Sequence, residues 1–240
     1  GVALATATLL AVLVAGWLWG LPLAARTLLA FVPAEADQLI GQQMARSMEQ
    51  QLFGPSRLPD QEQQAIRDAL ATAVRAAWPQ GGEPAHDLRF VDGRRVGANA
   101  LALPGGTVFL TDQLVALAKK PGTDAADPQA MLVGVLGHEL GHVERRHGMR
   151  ATAQVLLIGM VAAALLGDLN TLLAGVPVVL VQNGYSRDFE READHDSARI
   201  LLAAGHSPTV MASFFERMRS ERKAAGDDAS GLIGIGLASH

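Results

Sequence analysis

The sequence predicts an α+β fold, mostly helical, with a small three-strand antiparallel sheet and an N-terminal transmembrane helix ahead of it. Three patterns lead there. Apolar residues recur at helical spacing along most of the chain. Between Leu88 and Thr111 short β-type runs alternate with turn residues, and the first 25 residues carry no charge. Two regions follow, a membrane anchor over residues 1–30 and a domain over residues 31–240.

Val2 to Leu21 is an uncharged stretch of 20 residues, about 30 Å as a helix and so matched to a bilayer core. Trp17 and Trp19 stand where interfacial aromatics belong, with Arg26 just beyond. A leader's apolar core runs only about 7–15 residues, which favours an anchor. The next helix opens at Pro33-Ala34-Glu35, places Leu39, Ile40, Met44 and Met48 on one face, and ends before Gly54-Pro55. Another starts at Asp60, with Ile66, Leu70 and Val74 as its stripe, and closes at Trp78-Pro79. Both default to packing.

Asp92-Gly93 reads as a tight turn, and Pro104-Gly105-Gly106 separates Val96–Leu103 from Thr107–Thr111, giving a three-strand meander. Thr111 to Ala118 reads as a short helix. Asp127-Pro128 supplies a cap and first-turn proline for a longer one. The apolar runs Val155–Gly167 and Leu172–Val181, interrupted by Gly159, Gly175 and Pro177, suggest a helical hairpin over 155–181, buried or dipping into the membrane. Gly205 is a C-cap candidate, Ser207-Pro208 starts a final helix, and Gly226–Gly236 reads as a loop over a cleft.

Chemistry concentrates in His138-Glu139-Leu140-Gly141-His142. At about 100° per residue the two histidines lie only about 40° apart on one helix face, so both imidazoles can reach a single ion. Glu139 flanks them. Zinc in such a site brings the pKa of a water towards neutrality and polarises a carbonyl, while the carboxylate takes a proton and returns it to a leaving amine. Three protein ligands are needed, and Glu190 is the best candidate for the third. It shares a helix face with Asp194, four residues on, which is placed to accept the outer N–H of a ligand histidine. Glu192 turns about 200° away from Glu190 and is expected in solvent; His147, about 180° from His138 on one continuous wheel, is expected to bond elsewhere.

These motifs together resemble the gluzincin family that includes HtpX-type membrane proteases, BepA-type periplasmic proteases and the CAAX prenyl endopeptidases. The resemblance is carried by HExxH, by Ser186-Arg187 leading into Glu190…Ala193-Asp194, by Asn99-Ala100-Leu101-Ala102-Leu103-Pro104-Gly105-Gly106, by Val143 to His147, and by Ala204-Gly205 with Pro208. It covers roughly residues 35–240. It implies a zincin-like metallopeptidase domain, zinc held by His138, His142 and Glu190, Glu139 as catalytic base, and Asn99 on the strand that binds substrate. Ala238-Ser239-His240 matches the start of a further family motif whose histidine stabilises an oxyanion or caps the zinc, which makes His240 a catalytic candidate. Bacterial inner-membrane residence with a periplasmic domain is implied by the same likeness.

A formal charge of −4 without a basic patch gives nucleic-acid binding no support. The absence of cysteine removes thiolate zinc sites and thiol nucleophiles. The reading is therefore a zinc endopeptidase with one Zn²⁺ per chain, protein or peptide substrates, and lipid contact through its N-terminal helix. Its rival is a non-catalytic zinc-binding chaperone or scaffold with the metal capped by His240. Retention of Glu139 argues for catalysis, because a structural site needs no base.

Overall fold

A computed structural model of the chain describes residues 1–94, 96–120, 127–166 and 186–224. The uncharged N-terminal stretch is helical but not uniform. Helix α1 (Val2–Ala15) passes through a π-helical turn (Gly16–Gly20) into α2 (Leu21–Leu29). Both flanking residues, Ala15 and Leu21, keep α-helical dihedrals, so the three pieces abut. Among the described residues no helix is long and apolar enough to cross a membrane.

Helix α3 (Ala34–Gln51) begins beside Pro33, and α4 (Asp60–Ala77) turns Ile66, Leu70, Ala73 and Val74 inward. The sheet differs from the expected antiparallel meander. It has four strands in the order β1-β2-β4-β3, with β1 at Gly54–Pro55, β2 at Asp87–Asp92, β3 at Ala100–Ala102 and β4 at Thr107–Thr111. Strands β3 and β4 form the hairpin predicted at Pro104-Gly105-Gly106, but β2 runs parallel to β4. The reason lies at Asp92-Gly93. Gln113 accepts from the Gly93 N–H and donates to Asp92 through its amide, while Arg94 and Gly97 take positive φ angles of 37° and 73°. The chain is thereby pulled past β4 to its far side, and β3 becomes an edge.

Helix α5 (Asp112–Lys119) starts where the Thr111 hydroxyl accepts the Leu114 N–H. Asp127 caps α6 (Pro128–Glu144), which is buried from Ala130 to His142. Two residues later α7 (His147–Leu166) begins, so the first half of the expected 155–181 hairpin is part of one helix starting at His147. The remainder, 167–181, lies outside the described residues. Ser186 caps α8 (Arg187–Ala203), and α9 (Val210–Ala224) follows the turn at Gly205.

One large core joins α4, the inner face of the sheet, α5, α6, α8 and α9 around Leu110, Leu114, Met131, Leu136, Leu140, Ile200 and Phe214. A smaller cluster of Ala45, Met48, Phe53, Val91, Leu101, Leu103 and Phe109 seats α3 on the other face. At Gly41 the two layers meet closely, since an added Cβ would overlap the Pro104 carbonyl oxygen. Helices α6 and α8 pack along their length and are pinned by Ser197, whose hydroxyl donates to the Gly134 carbonyl at 2.7 Å.

Candidate metal centre

The site is built where α6 crosses α8, beneath the edge strand. Helical periodicity puts His138 and His142 on one face of α6, and they are fully buried. Their Nε2 atoms are 3.0 Å apart. Glu190, from the first turn of α8, brings Oε2 to 3.4 Å from His138 Nε2 and Oε1 to 3.7 Å from His142 Nε2. These three residues offer donor atoms that all lie within 4.8 Å of one another. Donors around a tetrahedral zinc, each at about 2.0–2.1 Å, sit about 3.3 Å apart. Two imidazoles and one carboxylate at this spacing fit that ion.

The outer ring nitrogens are held as well. His138 Nδ1 faces Asp194 Oδ1 at 3.0 Å, so Asp194 lies where the helix-face argument put it. His142 Nδ1 faces His147 Nδ1 at 2.9 Å, and His147 Nε2 meets Glu192 Oε2 at 2.9 Å. One proton order satisfies the whole row: His142 Nδ1–H donates to His147 Nδ1, and His147 Nε2–H donates to Glu192, leaving His142 Nε2 as a bare donor for a metal. Phe189 stacks flat on His147 with ring centroids 4.3 Å apart.

This relay corrects one expectation and meets another by an unexpected route. Glu192 is not simply solvated: its carboxylate is the anchor of His147 and also meets Arg150 at 3.4 Å. His147 stays off the donor set and bonds elsewhere, as expected, but it does so close by, on the outer nitrogen of His142, because α6 ends at Glu144 and no single wheel joins His138 to His147. Arg146 adopts φ 54°, a left-handed conformation costing about 1 kcal/mol or more for a side-chain-bearing residue. Its guanidinium is gripped by Asp37 at 2.6 Å and by the Leu29 and Val32 carbonyls at 3.1 Å each. The sequence signals for the relay were the final histidine of Val143–His147 and Glu192 within the Ser186–Asp194 string.

Glu139 is buried on the flank of the set, and its Oε2 accepts the Ala102 N–H of β3 at 2.7 Å. Sequence reasoning did not anticipate this bond between edge strand and carboxylate. Asn99 lies just before β3, buried, its N–H donating to the Thr111 hydroxyl at 2.8 Å and its carbonyl accepting from the Thr111 N–H at 3.0 Å. The structure thus places the Asn99 backbone in the framework that holds the edge. His240 lies outside the described residues.

Electrostatics follow from burial and crowding. Burial acts to lower the His138 pKa, but bonds to Asp194 and Glu190 and the charges of Glu139 and Glu190 outweigh it and raise the value to about 10. Burial and then the charge on His138 push His142 well below its ordinary value, as two facing nitrogens 3.0 Å apart hold one proton between them. Burial raises Glu139 to about 7 against the pull of His138 and the Ala102 N–H. Burial also lowers His147 to about 4, against its bond to Glu192, which keeps it neutral as the relay requires.

A buried two-histidine, one-carboxylate set with a glutamate beside it, lodged between two helices and an edge strand, defines the metallopeptidase class of centre. This chain belongs to peptidase family M48, whose family model matches residues 60–240. The mitochondrial metalloendopeptidase OMA1 of Schizosaccharomyces pombe is 30% identical over 146 residues, which is 58% of this chain and 38% of that protein. The beta-barrel assembly-enhancing protease of Escherichia coli K12 is 26% identical over 140 residues, 52% of this chain and 27% of its own. The putative beta-barrel assembly-enhancing protease of Vibrio cholerae is 30% identical over 142 residues, 53% and 27% of the two chains. The chain thus spans well under half the length of these curated relatives.

Proposed function

We propose that this protein is a membrane-anchored zinc endopeptidase that hydrolyses unfolded or misassembled membrane and envelope proteins, with its catalytic domain on the periplasmic side of a bacterial inner membrane. The observation that carries the reading is the set of three facing donors with Glu139 buried beside them, the count of a catalytic rather than a structural zinc. His138, His142 and Glu190 would hold the metal, which when bound supplies Lewis acidity to a carbonyl and to water. Glu139, fixed through Oε2 by the Ala102 N–H, presents its other oxygen to take a proton from water and later hand it to the leaving amine nitrogen. A carboxylate brought to about 7 by burial is suited to both transfers near neutral pH. Asp194 and His147 fix the two imidazole orientations.

Strand β3 is the edge of the sheet, and its free side faces Glu139. An extended peptide pairing there would lie along the metal centre with affinity drawn from backbone groups, which suits substrates without one defined sequence. Asn99, at the start of that edge, would add an amide contact. The membrane assignment is supported by the abutting helical run Val2–Leu29, whose Leu4, Leu9, Leu10, Val12, Trp17 and Trp19 are all more than half exposed. The substrate class follows the family resemblance carried by the sequence motifs.

The deciding experiment compares wild-type protein and Glu139→Gln on unfolded casein with zinc content measured in both. Equal zinc with cleavage reduced by at least about 10²–10⁴-fold in the variant is expected. Matching cleavage by the two proteins, or none by either despite bound zinc, would reject the catalytic reading.

A further inference from the structure

A second charged site lies on the far side of the relay from the metal. A cavity of about 380 Å³ is walled by Arg26 and Leu29 of α2, by Arg145 and Arg146 of the α6–α7 turn, by Arg150 of α7, and by Glu192 of α8. Four cations therefore face one carboxylate. Part of that charge is already committed, since Arg146 is gripped by Asp37 and Arg145 donates to Asp196 at 2.6 Å. Arg26 and Arg150 are the cations with capacity to spare. Arg26 stands exposed at the rim. Arg150 lies with its guanidinium 4.2 Å above the Phe189 ring and gives one Nη1–H to Glu192 at 3.4 Å, while its Nη2 makes no hydrogen bond among the described residues.

A row of guanidinium groups in a cleft is suited to the tetrahedral oxygens of a phosphate. Burial, and then the charges of Arg26 and Arg145, hold the Arg150 pKa below its ordinary range, relieved only in part by Glu192; an entering anion would offset that crowding. The surroundings indicate what carries the phosphate. The cavity opens at the C-terminal end of the Val2–Leu29 helical run, next to exposed Leu23, Leu28 and Phe31, with Trp17 and Trp19 one to two turns further up. A free anion would leave that apolar surface unused, whereas a lipid would lay its acyl chains along it.

We propose that this cavity is a binding site for the phosphate of an anionic phospholipid headgroup, held chiefly by Arg26 and Arg150. The choice of lipid over free phosphate rests on the reading of the N-terminal run as a membrane anchor. Basic pockets at the foot of membrane helices take such headgroups by the same pairing.

The test uses the full chain in an uncharged maltoside detergent, titrated calorimetrically with short-chain dihexanoyl-phosphatidylglycerol, dihexanoyl-phosphatidylcholine or inorganic phosphate. Saturable binding of the phosphatidylglycerol is expected, weakened about fivefold in Arg26→Gln and tenfold or more in Arg26→Gln/Arg150→Gln, with the other two probes binding far more weakly. Unchanged melting temperature and zinc content in Arg26→Gln, whose side chain is exposed, separate lost binding from lost folding. Equal affinity in wild type and variants overturns the site, and inorganic phosphate binding as tightly as the lipid overturns the lipid assignment. Flotation with pure phosphatidylcholine liposomes reports the anchor alone. Failure to float with phosphatidylglycerol binding intact removes the anchor and keeps the site; flotation without saturable phosphatidylglycerol binding removes the site and keeps the anchor.

Discussion

At the scale of single residues the metal centre sets its own proton balance. With His138 held at about 10, the metal-free protein carries a proton there at neutral pH, and a ligand nitrogen must give it up. Zinc loading at pH 7 is expected to release about one proton from His138, with apparent affinity strengthening about tenfold per pH unit from 7 to 9. Calorimetry in buffers of different ionisation enthalpy measures both, and an affinity flat across that range would exclude a protonated His138. The raised pKa also has a stability sign. The contribution of His138 to the metal-free fold is fully present below its ordinary 6.5 and lost as pH rises through about 10. A second residue-level expectation concerns the relay. Glu192→Gln keeps the shape but weakens the acceptor for His147, and His147→Ala leaves His142 Nδ1 without its partner; each should lower zinc affinity about 10–100-fold, and Glu190→Ala more. Competition with a chromogenic chelator gives the ranking, and wild-type affinity in both relay variants would show His147 to be mere packing. The HExxH pair, Glu190 and Asp194 were legible because each pair is four apart on a helix that proves continuous. His147 and Glu192 were not, because the positive φ at Arg146 breaks the wheel on which His147 was projected.

At the scale of elements the crossing of α6 over α8 sets the spacing of the donors. Gly141 sits at that crossing, where an added Cβ would lie 3.0 Å from both the Ala193 Cα and the Asp196 Cβ. Gly141→Ala should push the helices apart by a few tenths of an ångström, costing about 1–3 kcal/mol by overpacking. Glu190 and Asp194 ride on α8, so zinc affinity should fall along with the melting temperature; a lower melting temperature with unaltered affinity would show that the donors adjust independently. Helix positions were readable from stripes and from the Asp127-Pro128 cap, because those signals are local, and the structure adds side-chain caps at Thr111 and Ser186. The sheet order was not, because it depends on Gln113 reaching back to Gly93 across 20 positions, and Asp92-Gly93 by itself resembles a hairpin turn. Nor was β1, whose two residues pair with the end of β2 and carry no pattern of their own.

At the scale of the whole molecule the N-terminal run is stitched into the domain it precedes. Ala25 and Leu29 of α2 are buried, and α2 packs on α7. Removal of residues 1–20, which leaves α2 in place, should free the protein from membranes in carbonate extraction while zinc content stays at the wild-type level. Persistence in the pellet would shift the lipid contact to the apolar sequence beyond Val155. The grip of Arg146 on the Leu29 and Val32 carbonyls has a mechanical side. Any tension drawn along α2 arrives first at one guanidinium, whose own backbone is the bend between the helix ending at Glu144 and the helix starting at His147. A tug on the helix at one end of that tether is therefore a torque on the His142–His147 contact at the other.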